Sequence, residues 1–332
     1  MRMRQNSAGI LGAISPLRQY EILMKIKTGP KSMHAYSGPF ALADQDSYIA
    51  WRKQKLQTPP CPPFVTVDAE QGLDVAGRQA IAEHCRRHNF ALFRFTEPPA
   101  DPEEALRQLG RHFGLKDIDA NLCAEDSGLT EITVKNTGTD NAYIPYTSRP
   151  IGWHTDGYYN PMHQQIRGML LYCHQPAMEG GISGLMDHEI AYIRLRDQNP
   201  EWIRALMAED AFTIPPNVEG GVQIRPATVG PVFSVDDDGH LHMRYSARQR
   251  NVEWKDDALT QEAAAALLAL FENDDPFILE WSLQAGEGLI SNNILHRRTG
   301  FMDSPDPKQK RVFYRARYHN RVRPNATVII EE

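Results

Sequence analysis

Cysteine is scarce in this 332-residue chain, which has four, Cys61, Cys85, Cys123 and Cys173. No two form a Cys-x-x-Cys pair, so neither a zinc knuckle nor a disulfide framework is indicated. Free thiols in a reducing cytoplasm are the simplest account. Long apolar runs are missing too. Nothing approaches the roughly 20 residues that cross a bilayer, so no membrane partner is expected. Positive charge is not in excess: 36 Lys and Arg stand against 42 Asp and Glu, a net charge of -6, which leaves no electrostatic footprint for nucleic acid. Acidic residues are nearly absent before Asp44, where Glu21 alone opposes Arg2, Arg4, Arg18, Lys25, Lys27 and Lys31. That composition suits a transit peptide, but Ala8 to Ile14 is short for a signal core and no clear cleavage site follows it. The expected organisation is a basic, disordered extension over 1–33, with Met33 as an alternative start, and a single domain over 34–332.

What is present is a composition with 41% hydrophobic residues, enough for a sizeable core in one β-rich domain. Alternation predicts strands at 65–67, 90–95, 131–135, 152–155, 166–173 and 183–186, and later at 277–281, 288–291 and 311–318. Helical spacing covers 76–88, and Asp101-Pro102 supplies an N-cap and first-turn proline for a helix to His112. Two helices divided at Asn199-Pro200 span 189–207, a hairpin turns at Asp236–Gly239, and an alanine-rich helix covers 257–272. No internal repeat or low-complexity tract is evident. Short strands separated by turns, with the helices gathered in an insert at about 189–275, predict a mainly β fold with helical additions, a double-stranded β-helix or jelly roll. An excursion of that length is expected to cover the site as a lid.

The chemistry concentrates in Trp153-His154-Thr155-Asp156. A strand puts residues i and i+2 on one face, so the imidazole of His154 and the carboxylate of Asp156 aim at one spot. Downstream, Gln284 to His296 reads as a turn, a short apolar strand and a histidine at its far end. His296 would complete two histidines and a carboxylate, the facial triad of non-haem Fe(II) oxygenases, which leaves positions open for cosubstrate and O2. Some fifteen residues further, Lys310 to Tyr318 is an alternating strand with arginines, whose planar fork suits a dicarboxylate.

With these motifs the chain resembles the taurine dioxygenase/TfdA family of Fe(II)- and 2-oxoglutarate-dependent oxygenases over about 65 to 322. The resemblance extends to the gamma-butyrobetaine hydroxylase branch, whose His-Gly-Arg segment is similar to His296-Arg297-Arg298. It implies a catalytic domain using Fe(II), 2-oxoglutarate and O2, with His154, Asp156 and His296 on the metal. Arg311 would grip the distal carboxylate of 2-oxoglutarate. Gly180-Gly181-Ile182-Ser183 matches a segment that usually reads Gly-Gly-Asp-Thr, so Ser183 would assist Arg311, with Ile182 as a departure. Arg298 would sit near the oxoacid, while Arg315, four residues from Arg311, and Tyr158 would meet the substrate. The expected activity is hydroxylation of a small polar or anionic metabolite, with succinate and CO2 as coproducts.

Other features read more plainly. His240 and His242 alternate beside the Asp236–Gly239 turn and are expected in a solvated hairpin. His188-Glu189 lacks the second histidine of a zinc protease, and the aspartate triplet lacks calcium-loop spacing. Tyr143, Tyr146, Trp153, Tyr158 and Tyr159 form an aromatic wall, a quaternary-ammonium cage, or core packing. A ligand sensor without turnover would not need triad and arginine together, and a JmjC-like protein hydroxylase would anchor 2-oxoglutarate mainly through a lysine. Desaturation and homo-oligomer formation stay open.

Overall fold

The computed structural model describes residues 37–119, 129–134, 144–248 and 252–323. The basic segment 1–33, Cys123 and Tyr143 lie outside the described residues.

Two sheets face each other. The larger contains β1 (Val65–Val67), β2 (Phe90–Phe95), β3 (Leu129–Ile132), β5 (Gly168–Gln175), β8 (Glu287–Ser291) and β10 (Val312–Tyr318), in the order β1-β2-β8-β5-β10-β3. The smaller contains β4 (Ile151–His154), β6 (Ser183–Met186), β7 (Leu279–Trp281) and β9 (Leu295–Arg298), in the order β7-β6-β9-β4. β1 and β2 are parallel, and the remaining neighbours are antiparallel. This is the double-stranded β-helix that the strand pattern implied.

Side-chain alternation assigns each face. In β2, Phe90 and Leu92 turn inward to meet Met169 and Leu289, together with Leu185 of the opposite sheet and Ile294 of the connection between β8 and β9. Ala91, Phe93 and Phe95 turn outward to Ile81, Cys85, Leu106 and Leu109 on the helices Val75–His88 and Pro102–Arg111. Covered on both faces, β2 can be apolar at nearly every position. The smaller sheet turns Trp153, Met186 and Leu295 outward into a second core with Ile190, Ile193, Leu195, Phe212 and Leu267. These come largely from the insert helices His188–Gln198, Pro200–Leu206 and Ala258–Ala269. Asp187, Asn199 and Asp257 cap them, each accepting a first-turn N–H.

The described residues of the insert are therefore mostly a buttress behind the smaller sheet. Trp153 stacks on Phe271 at 4.9 Å, joining the strand of His154 to that buttress. A hairpin of Asn217–Glu219 and Val222–Arg225 stands apart, turning through Gly220 and Gly221 at φ 58° and 82° and leaving Val218 and Val222 exposed.

Three further departures have physical reasons. The helix Gln45–Gln57 has few apolar residues, and it docks partly through a buried lysine, Lys55. His242 is buried because both faces of its hairpin strand are covered, and burial drives its pKa well below the ordinary value; His240 is exposed as expected. Finally, the apolar run to His296 is two strands. After Ser291 the chain breaks, Asn293 takes a left-handed φ of 55°, and β9 joins the other sheet.

Candidate active site

β4 and β9 are antiparallel neighbours in which His154 and His296 stand directly opposite. Alternation sends Trp153 and Leu295 to the outer core and the two imidazoles between the sheets, with ring centroids 4.2 Å apart. Each ring donates from Nδ1 to the carbonyl two residues earlier, His154 to Gly152 at 2.9 Å and His296 to Ile294 at 3.0 Å. That choice of tautomer leaves both Nε2 lone pairs free for a ligand.

Asp156 lies just beyond the end of β4, at the start of a turn through Gly157, whose φ is 64°. A Cβ on Gly157 would come within 2.3 Å of Ile166, so only glycine fits this turn. The Asp156 Oδ1 is 3.6 Å from His154 Nε2 and 3.8 Å from His296 Nε2, and the three ligand atoms all lie within 4.8 Å of one another. Ligands at right angles, each roughly 2.1 Å from one ion, are about 3 Å apart, so the donor set fits a metal with small side-chain movements.

The electrostatics suit that role. Burial alone would raise the pKa of Asp156, but the Arg315 guanidinium beside it outweighs burial and holds the carboxyl well below its ordinary range. Burial, followed by the neighbouring His154, lowers His296 to about 4, so its ring stays neutral. A carboxylate beside the neutral imidazole of His296 is the protonation state that metal binding needs.

Both histidines line one cleft with Ser183, Arg298, Arg311 and Arg315, among the apolar side chains Met169, Leu171, Leu185 and Leu289. Arg311 is 6% exposed and lies 3.8 Å from the centre of the Phe313 ring and 5.0 Å from that of Phe301. Its backbone N–H donates to Asp303 at 2.7 Å, but no hydrogen bond among the described residues occupies its guanidinium. Burial lowers its pKa to about 10. A buried, unsatisfied cation in a cleft calls for an anion. Ser183, which lines the same cleft, opens β6, its position paired with Arg298 across the sheet.

The other candidates divide. Arg298 donates to the carbonyls of Thr147 at 2.8 Å and Arg149 at 2.6 Å, so part of its fork clamps the segment before β4. The Arg315 Nη1 lies 3.3 Å from Asp156 Oδ2 and 3.4 Å from Oδ1, while its buried Nε has no hydrogen-bond partner among the described residues. Tyr158 meets the His154 ring edge-on at 6.4 Å but does not line the cleft. Tyr146 and Trp153 are core residues, at 2% and 6% exposure, so these two pack and do not wall a cage. The Phe301 and Phe313 rings that flank Arg311 carried no sequence signal.

The family described as "Taurine catabolism dioxygenase TauD, TfdA family" matches residues 56–317. The chain is similar to a uridine-5'-phosphate dioxygenase of Streptomyces sp., with 28% identity over 247 residues that cover 72% of this chain and 88% of the relative. Among solved structures, it resembles asparagine oxygenase in complex with Fe(II), 2S,3S-3-hydroxyasparagine and succinate at a TM-score of 0.53 and 16% identity, covering 90% of this chain and 89% of the other. It also resembles the non-heme iron oxygenase OrfP in complex with Fe, succinate and (3S)-hydroxy-L-Arg, at a TM-score of 0.53 and 17% identity, covering 92% of each chain. The chain belongs to the TauD/TfdA family. It is accordingly a dioxygenase that uses iron, 2-oxoglutarate and O2. These relatives do not single out the gamma-butyrobetaine hydroxylase branch. Among the described residues, no helix is long and apolar enough to cross a membrane.

Proposed function

We propose that His154, Asp156 and His296 hold the iron, that Arg311 and Ser183 bind the distal carboxylate of 2-oxoglutarate, and that the reaction hydroxylates a small polar or anionic metabolite. The observation that carries this reading is a triad of convergent metal donors whose two histidines line one cleft, together with a buried guanidinium in the same cleft that has no hydrogen bond among the described residues. When bound, the iron supplies O2 activation, so that 2-oxoglutarate leaves as succinate and CO2 while one oxygen atom enters a substrate C–H bond. The chain supplies the arrangement. Arg311 fixes the cosubstrate, the carbonyls of Gly152 and Ile294 hold the imidazole protons away from the metal face, and Met169, Leu171 and Leu289 limit water.

An anionic substrate is favoured because arginines dominate the cleft's charged groups and the Nε of Arg315 has no partner among the described residues. A nucleoside monophosphate heads the candidates, since the curated relative acts on uridine-5'-phosphate by its name. We place the reaction in the cytoplasm, with no role for nucleic acid. The test is substrate-stimulated succinate formation across nucleoside monophosphates, amino acids, sulfonates and betaines. Stimulation by an anion, lost in His296→Ala, is the expected result. Binding of anions without any succinate would point to a sensor instead.

A further inference from the structure

Asp156 is the one member of the triad that no sheet hydrogen bond aligns, because β4 ends at His154. A carboxylate on a turn would sample several directions, and each would cost metal affinity. Something else must aim it.

Asn293 occupies that position. It is 1% exposed, and its side-chain amide forms a two-point pair with the backbone of Asp156. Its Oδ1 accepts the Asp156 N–H at 2.8 Å and its Nδ2 donates to the Asp156 carbonyl at 2.9 Å. Nδ2 also donates to the Ile166 carbonyl at 2.6 Å, so both sides of the turn that carries the carboxylate end on one amide. The left-handed backbone at Asn293 is also the break that moves the chain between sheets, three residues before His296. One residue therefore contacts the backbone of one proposed ligand and sets the strand of another. Its neighbour Asn292 faces the scaffold, donating to Asn89 at 3.1 Å and accepting from the backbone of Val322 at 3.0 Å.

We infer that Asn293 is a positioning residue for the metal site, fixing the spacing between Asp156 and His296 through its side-chain amide. This rests on the triad reading above. Asparagine suits the position on two counts: it tolerates the left-handed region, and only an amide offers an acceptor to the N–H together with donors to both carbonyls. Asn293→Asp would set a carboxylate against two carbonyls, and the side chain of Asn293→Gln would reach too far.

The test separates backbone from side chain. Asn293→Gly keeps the φ at no steric cost and removes only the amide. Asn292→Ala is the control, equally buried but bonded away from the metal. Both should lower the melting temperature. With Co(II) alone as the probe, Asn293→Gly should weaken binding about 10- to 100-fold and alter the visible d–d bands, as loss of a ligand-orienting group does. Asn292→Ala should bind as the unaltered protein does. Equal affinity and unchanged bands in Asn293→Gly would overturn the inference. Should Asn293→Gly not fold, hydrogen exchange in the unaltered protein decides. Coupling is reciprocal, so Co(II) should slow exchange of the Asp156 N–H, and exchange indifferent to the metal would overturn the role. His296→Ala distinguishes the two levels: it should abolish Co(II) binding, and if it does not, the triad itself fails and the inference with it.

Discussion

Arg311 and Arg315 stand four residues apart in sequence but meet different surroundings. Arg311 lies by aromatic rings, its guanidinium without a hydrogen bond among the described residues, whereas Arg315 already leans on Asp156. Removing a charged hydrogen-bond partner costs roughly 1.5–3 kcal/mol, or about 10- to 150-fold in affinity. Arg311→Ala is expected to weaken 2-oxoglutarate by that factor in an anaerobic titration with Fe(II), with substrate affinity largely spared. Arg315→Ala should leave the 2-oxoglutarate titration within a few fold, raise the KM for an anionic substrate, and produce succinate without matching product. If Arg315→Ala were the variant that lost 2-oxoglutarate, the two roles would be exchanged. Ser183→Ala should act in the same direction as Arg311→Ala but more weakly, since a neutral hydroxyl contributes only about 0.5–1.5 kcal/mol.

Among the elements, the helix Gln45–Gln57 shows what a buried charge does. Its Lys55 is buried, with Nζ 2.5 Å from both Asp187 and Glu189 and 2.7 Å from the carbonyl of Arg87. Asp187 caps the insert helix His188–Gln198 and also accepts from Asn89 at 2.9 Å. Taking one partner from a buried ion cluster costs about 3–5 kcal/mol. Lys55→Met should therefore cause a large fall in melting temperature by calorimetry, made worse by raising the pH as the two carboxylates ionise unpaired; a loss under a degree would mean that the cluster is solvated. Lys55 also explains why this helix escaped sequence reading, since a lysine counts as surface in any hydrophobic pattern. The barrel strands were legible because period-two alternation survives wherever two faces differ, and the triad because His154, Asp156 and His296 are chemically unusual side chains in the right order. The break at Asn292–Asn293 was not, because both asparagines act through bonds to residues distant in sequence, Asp156 for Asn293 and Asn89 and Val322 for Asn292. The insert's short strands, such as Phe212–Ile214 and Thr228–Gly230, are too brief for a period to show.

Across the whole molecule, acid should act in two stages. Burial, then Lys55, lowers His88 from 6.5 to about 4, and burial likewise lowers His188 and His242. These rings are neutral when folded but protonated when unfolded below about 6.5, so the unfolded chain binds more protons and stability falls as the pH drops toward 4. Burial would raise Glu189, but Lys55 outweighs it and brings it from 4.5 to about 2, adding a second loss across that range. Melting of the metal-free protein should decline from pH 7 to 5, before ordinary carboxylates titrate; a flat profile there would show that the histidines keep solvent access on folding. Substrate should leave hydrogen exchange in the insert helices unchanged, because their protection comes from the core behind the smaller sheet. Any slowing should be confined to the hairpin 217–225.

Arg244 gives the insert another property. Its buried guanidinium carries no carboxylate; instead Nε donates to Pro231, Nη1 to Tyr158 and Thr228, and Nη2 to Gly230 at 2.9 Å and to Phe212. Those carbonyls come from the metal-ligand turn and from several stretches of the insert, and burial lowers the arginine only to about 10, so it stays charged. A cation so placed is at ease only when every stretch has arrived. The insert is thus tied to the barrel as well as to itself: a graft that omits residues 157–160 would take from this buried charge its Tyr158 acceptor, the one that lies outside the insert. Substrate range in this lineage should then change by point substitution along the cleft more readily than by swapping loops.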